Sequence, residues 1–297
     1  MSLVPFGFWA ASGGAGVFQY LLGGASGTMT TSLDGITWGG VTSGFGSNFI
    51  TCFSHGDSLY LAGGGSGTLT TSPDAVTWTA RTSGFSASTI RGIAYGDALY
   101  VAAGDDGKMS TSTDGTSWTS RTSAFGTERI RGVTYGDALY VAFGDTGKLT
   151  TSADGFTWAT RTSNSSSNSI YGLAFGNGVY VYVGGDGVAA TSTNGTSWTS
   201  RTTGQAGENL WNVVFGDNLF VAAGTSGVVI TSPDGITWTS RTSGFPGSLP
   251  ILALAFGNGL FLAADQAANT KTSPDGITWT ARTSGFGTTE IRGAGFG

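Results

Sequence analysis

Residues 90–123 read IRGIAYG, DALYVAAG, DDGKMSTS and TDGTSWTSRTS in succession. Each piece is short, rich in Val, Ile, Thr, Tyr, Phe or Trp, and bounded by Gly or Asp, which is the pattern of antiparallel strands joined by tight turns. Four strands follow, designated A to D. The stretch recurs along the chain: Trp118 has counterparts at Trp38, Trp78, Trp158, Trp198, Trp238 and Trp279, spaced by 40 residues except for a last interval of 41. Units of about 40–45 residues with four strands each are what the blades of a β-propeller require.

The expected fold is therefore all-β, a seven-bladed β-propeller of four-stranded antiparallel blades. Twisted sheets that bury both faces against neighbours close into a ring, whereas a solenoid needs polar capping repeats, and none is apparent. A-type strands start at Ile50, Ile90, Ile130, Ile170, Leu210, Ile251 and again at Ile291, while the first B-type strand starts near Val17. The last segment, IRGAGFG, is an A strand with no B strand after it. Residues 291–297 are thus expected to complete the first blade, so that the C-terminal strand closes the ring. Residues 17–297 make up the propeller, and residues 1–16 form an N-terminal extension without a required place in it.

Composition narrows the function classes. Of 297 residues only 10% are charged, against about 25% in ordinary soluble proteins, and 52 are Gly; long amphipathic helices are ruled out. With 39% hydrophobic and 12% aromatic residues, the chain has enough apolar surface to fold. A net charge of −5 argues against nucleic acid as a partner. Cys52 is the only cysteine and His55 the only histidine, so a disulfide framework, a transition-metal site and His-based catalysis have little support. Asp105, Asp106, Asp145 and Asp186 lie in Gly-rich turns that favour Asp without metal; no metal and no cofactor is expected. No basic leader and no apolar run of about 18 residues is visible, so a signal peptide and a membrane span are not expected.

The turn between strands C and D reads S-x-D-G-x-T-W at Ser32–Trp38, Ser232–Trp238 and Ser273–Trp279, with variants at Ser72–Trp78 and Ser192–Trp198. It resembles the Asp-box, or BNR, repeat of sialidase-like propellers, one residue shorter between Asp and Gly. Its physics is structural. The carboxylate accepts turn N–H groups, Gly takes a positive φ, and Trp buries its ring. Arg81, Arg121, Arg161, Arg201, Arg241 and Arg282, each three residues after a Trp, are read as packing or turn-bonding groups. An active sialidase is implied by the resemblance to carry a convergent arginine triad, a Tyr/Glu nucleophile pair and an Asp acid. The only glutamates here, Glu128, Glu208 and Glu290, all fall in D-to-A loops, on the face opposite the C-to-D turns.

Comparison of the seven units separates two faces. The A-to-B and C-to-D turns barely differ, while the D-to-A loops vary freely, as in GFSAST, NSSSNS, GQAGEN and GFPGSLP. Binding residues sit most often on loops carried by a rigid frame. Tyr171 and Trp211 occupy the A-strand position held by Arg91, Arg131 and Arg292 elsewhere. Asp265 departs from the Gly-x-x-Gly of other B-to-C turns. These three residues and the three glutamates are the candidate ligand-binding residues, and none is assigned a catalytic role.

The repeat S-x-D-G-x-T-W-T-x-R-T-S-G-F, preceded by VPFGFWAASGG, resembles propellers of phage virion and tail-associated proteins. That resemblance implies a non-enzymatic structural or receptor-binding component, virion-borne or extracellular. It implies protein subunits of a larger particle, a cell-surface glycan, or both as partners, with Phe6, Phe8 and Trp9 as anchor. The alternative is a glycan hydrolase of sialidase-like type, active or degenerate, using Glu128, Glu208 or Glu290.

Overall fold

The computed structural model describes residues 18–297. Seven four-stranded antiparallel sheets are present, each ordered A-B-C-D from one edge to the other. Blade 3 is typical: Ile90–Gly96 (A), Leu99–Gly104 (B), Lys108–Ser112 (C) and Thr119–Thr122 (D). Blade 1 is assembled from both ends of the described chain, with Ile291–Phe296 supplying strand A beside Tyr20–Gly24, Thr28–Ser32 and Gly39–Thr42. Each A strand lies against the A strands of both neighbouring blades, including blade 7 against blade 1 and blade 1 against blade 2. The ring is closed by the C-terminal strand, as the strand order along the sequence predicts.

The apolar core lies between blades. One typical layer joins Ala94, Val101 and Met109 of blade 3 to Ile130, Val133 and Tyr140 of blade 4, with Phe125 of the connecting loop beneath them. Phe125 is 1% exposed, and burying such a ring contributes about 2–3 kcal/mol. The loop is fixed by its own sequence: the Ser123 hydroxyl donates to the Gly107 carbonyl at 2.6 Å and accepts the Phe125 N–H at 3.2 Å. This Ser hook recurs at Ser43, Ser83 and Ser243, which explains the repeated S-G-F.

The C-to-D turn is a staple. Asp34 Oδ1 accepts the N–H groups of Ile36 and Thr37, each at 2.8 Å, and the Ser32 hydroxyl at 3.0 Å. Trp38 Nε1 donates back to the Gly35 carbonyl. The Thr37 and Ile36 N–H groups hold the Asp34 carboxyl down at about 2; Asp74 and Asp154 are lowered to about 2 in the same way. The D-strand arginines donate from Nε to a strand C threonine, Arg161 to Thr151 at 2.8 Å for example.

At the turn end of the channel the sixth residue of every A strand is aromatic: His55, Tyr95, Tyr135, Phe175, Phe215, Phe256 and Phe296. Each packs on an aromatic residue of strand B, with ring centroids 4.3–4.7 Å apart. Each also lies over the last A-strand glycine of the preceding blade. A Cβ at Gly96 would come within 2.2 Å of the Tyr135 ring, so only glycine fits there.

Candidate functional site at the loop face

The D-to-A loops and B-to-C turns meet on one face. The Asp105 N–H donates to Thr89 O and the Asp145 N–H to Arg129 O, tying each turn to the loop that enters its blade. Every A strand bulges as it enters this face. The pairing of Ile130 with Gly144 is followed by that of Gly132 with Phe143, skipping Arg131, and the same skip occurs at Thr51, Arg91, Tyr171, Trp211, Leu252 and Arg292. A bulge takes one side chain out of the sheet alternation and re-aims it. Seven such residues therefore ring the mouth of the channel. Thr51 and Leu252 are buried, and Thr51 donates its hydroxyl to Ile90 O at 2.5 Å. The other five are half-buried.

Arg292 pairs with Glu290 and lies over the Phe49 ring; the other four form two chemical arcs. On blades 3 and 4, Arg91 Nε donates to Asp105 at 2.5 Å, Arg129 Nε to the same carboxylate at 2.8 Å, and Arg131 Nε to Asp145 at 2.5 Å. Arg129 reaches Asp145 at 3.6 Å, which links the pairs into one alternating ladder. Partial burial raises the Asp105 carboxyl, but the Arg91 and Arg129 guanidiniums outweigh it and leave it below the ordinary carboxylate value. A cleft of about 350 Å³ opens beside the ladder, lined by Ser88, Thr89, Asp105, Asp106, Arg129 and Asp145. On blades 4 to 6, the Arg131 guanidinium lies 4.6 Å from the Tyr171 ring centre, and Tyr171 stacks on Trp211 at 4.4 Å and 25°. One continuous stack thus crosses three blades.

Of the expected ligand-binding residues, the structure brings Tyr171 and Trp211 together. The three glutamates stand at separate junctions. Glu128 accepts from Thr146 at 2.9 Å, Glu208 from Thr225 and from Ser226 at 3.1 Å, and Glu290 from Arg292 at 2.6 Å. They serve as clasps between a loop and its blade, and no two share a junction. Blade 3 makes the same clasp with the partners exchanged, Ser88 donating to Asp106 at 2.6 Å. Asp265 is fully buried and accepts the N–H groups of Ala267 and Asn269 and the Asn269 amide. Its carboxylate is engaged inside the blade 7 turn rather than presented at the face. Phe6, Phe8 and Trp9 lie outside the described residues. Among the described residues, no three His, Cys, Asp or Glu side chains gather to hold a metal ion.

Sequence reading missed the arginine–aspartate ladder. Its signal is present: Arg91 with Asp105 and Arg131 with Asp145 recur at one separation in adjacent units, and where Tyr171 and Trp211 replace the arginine, Gly185 and Thr225 replace the aspartate. Arg129 carries no such signal, because its two partners belong to different blades.

Residues 86–210 match the family described as the DUF6242 beta propeller domain. No curated protein matches the chain. Among solved structures the fold is similar to YCF48 bound to D1 peptide, with a TM-score of 0.63 and 20% identity over 78% of this chain and 80% of that one. It is similar to YCF48 from Cyanidioschyzon merolae, with a TM-score of 0.62 and 18% identity over 79% and 86%. The computationally designed Ika8 protein gives a TM-score of 0.68 and 16% identity over 98% and 92%. At these identities the likeness is one of fold. No helix among the described residues is long and apolar enough to cross a membrane.

Proposed function

We propose that this chain is a non-enzymatic binding propeller that takes a segment of a protein partner across the loop-face mouth of its channel. The observation that carries the reading is the bulge-aimed stack Arg131–Tyr171–Trp211, beside a ladder whose central member, Arg129, keeps 40% of its side chain exposed. Planar aromatic and arginine side chains on a rigid frame offer contact area at low entropic cost. YCF48, of the same fold, has been captured with a D1 peptide, so a propeller of this fold can take a peptide.

The test is selection of peptides from a displayed random library on the immobilised full chain. Affinity of the selected peptides is then compared between the wild type and Trp211→Ala or Arg131→Ala. A loss of at least tenfold supports the reading, and unchanged affinity for every peptide overturns it. Binding only on a glycan array would keep the face and change the ligand. Turnover of a fluorogenic glycoside, lost in Glu208→Gln, would replace binding by hydrolysis. The virion or extracellular setting implied by the repeat belongs to the same proposal, with Phe6, Phe8 and Trp9 as anchor. Removing residues 1–16 is expected to abolish incorporation into the particle while leaving the propeller folded.

A further inference from the structure

Among the described residues, every large apolar side chain that stays exposed lies on the opposite, turn face. Phe156 of blade 4 is one, and the Arg121 guanidinium sits 4.6 Å above its ring. The remaining six are Ile236, Ile277, Phe18, Leu33, Ile36 and Val76. These belong to blades 6, 7, 1 and 2, which are consecutive around the ring. Blades 3 and 5 carry Thr116 and Thr196 at the matching turn position. Six of the seven therefore form one arc, with Leu33 at 56% and Val76 at 52% exposure.

Blade 1, in the middle of the arc, departs from the other six. Its outer strand reads Gly39-Gly40-Val41 where others place an arginine such as Arg81 or Arg282 at the third position. Nothing lies within 4 Å of a Cβ built at Gly39 or Gly40. The edge thus lacks the charged side chain that guards the other six edges. Around the arc, the C-to-D turns carry Asp34, Asp74, Asp234 and Asp275, the A-to-B turns of blades 2 and 6 carry Asp57 and Asp217, and none of these turns holds a lysine or arginine. An apolar patch rimmed by one sign of charge marks an interaction site. Two copies meeting turn face to turn face would oppose their aspartates, and anionic lipid or nucleic acid would be repelled.

We propose that the turn face over blades 6, 7, 1 and 2 is a second docking surface, and that its occupant is a protein surface with an apolar centre flanked by lysines or arginines. It is independent of the loop-face reading, because it uses the other end of the channel.

The test uses peptides selected from a displayed random 12-residue library on the full chain. Their affinities are measured against the wild type, Leu33→Thr/Ile36→Thr/Ile277→Thr, and Trp211→Ala. Thr113 and Thr116 of blade 3 and Thr193 and Thr196 of blade 5 already occupy the first two of these turn positions, so the triple variant keeps a turn the fold accepts. The expected result is a group of peptides with Lys or Arg flanking aliphatic or aromatic residues. These peptides lose at least tenfold in affinity for the triple variant, keep their affinity for Trp211→Ala, and weaken as salt is raised. The proposal is overturned if every selected peptide binds the triple variant as it binds the wild type, or if the peptides sensitive to it are net acidic.

Discussion

The Tyr140 hydroxyl of blade 4 donates to the Gly96 carbonyl of blade 3. Tyr20, Tyr60, Tyr100 and Tyr180 reach the matching glycine carbonyl of the preceding blade in the same way, whereas blades 6 and 7 have Phe220 and Phe261 at this place. The Gly176 and Gly216 carbonyls therefore lack a tyrosine donor. Tyr140→Phe is expected to lower stability by about 1–2 kcal/mol, and Phe220→Tyr or Phe261→Tyr to raise it by about 1 kcal/mol. Guanidinium unfolding midpoints check both signs.

The turn carboxylates set the acid limit of the fold. N–H groups hold Asp34, Asp74 and Asp154 down at about 2 and lower Asp114, Asp234 and Asp275 by the same contacts. A carboxyl depressed in the folded state contributes stability above its unfolded value near 3.9, and that contribution is lost as pH falls through about 2. Blade 5 uses Asn194, whose Oδ1 accepts Thr196 N at 2.9 Å and Ser197 N at 3.0 Å. Asp234→Asn should thus leave stability at pH 7 within about 0.5 kcal/mol and remove one titrating group below pH 4, while Asp234→Ala should cost about 1 kcal/mol. Unfolding midpoints between pH 5 and pH 2 distinguish the two variants.

Two A-to-B turns are paired with the wrong residue for their backbone. Ala98 and Ala138 sit at φ 56° and 55° and are exposed, while Gly178 and Gly259 fill the same place in blades 5 and 7. A Cβ in the left-handed region costs about 1–2 kcal/mol, partly offset by the greater freedom of glycine when unfolded. Ala98→Gly and Ala138→Gly are each expected to stabilise by about 0.5–1 kcal/mol, and to add when combined because they lie on different blades. A double variant no more stable than the wild type would contradict the strain argument.

How much of this was legible in the sequence follows from what repeats. The interval between Trp38 and Trp78, repeated to Trp279, determines seven blades, and an A strand at Ile291 with no B strand after it determines how the ring closes. Tyr171 and Trp211 could be singled out because each breaks a repeat at an aligned position. Their stacking could not, since it depends on how far apart neighbouring blades lie at the mouth. The glutamates show the opposite failure. Glu128 differs from its counterpart Ser88, which suggests a new function, yet Thr146 differs from Asp106 in the compensating sense, and the clasp is conserved while its residues are exchanged. Asp265 likewise replaces a glycine and is consumed by its own turn. A departure from a repeat indicates a site only after the residue across the junction has been checked for the complementary departure.

His55 gives a case where the departure has a cost that pH reveals. It fills the ring position of Tyr95 and Tyr135, with its ring centroid 4.3 Å from that of Tyr60 and 5.8 Å from that of Phe18, which it meets nearly edge-on. Burial in this aromatic wall lowers its pKa from 6.5 to about 4, because the imidazolium loses its hydration there without a compensating anion. The unfolded chain takes up the proton below about 6.5 and the folded chain only near 4, so stability present at neutral pH falls across that window by at most about 3 kcal/mol. The loss linked to the turn aspartates begins only at about pH 5 and is common to the wild type and a His55 variant, so the difference between the two isolates the histidine. His55→Tyr, which copies blades 3 and 4, is expected to flatten unfolding midpoints between pH 6.5 and pH 4. An unchanged slope in that variant would show that the ring admits water to the imidazole.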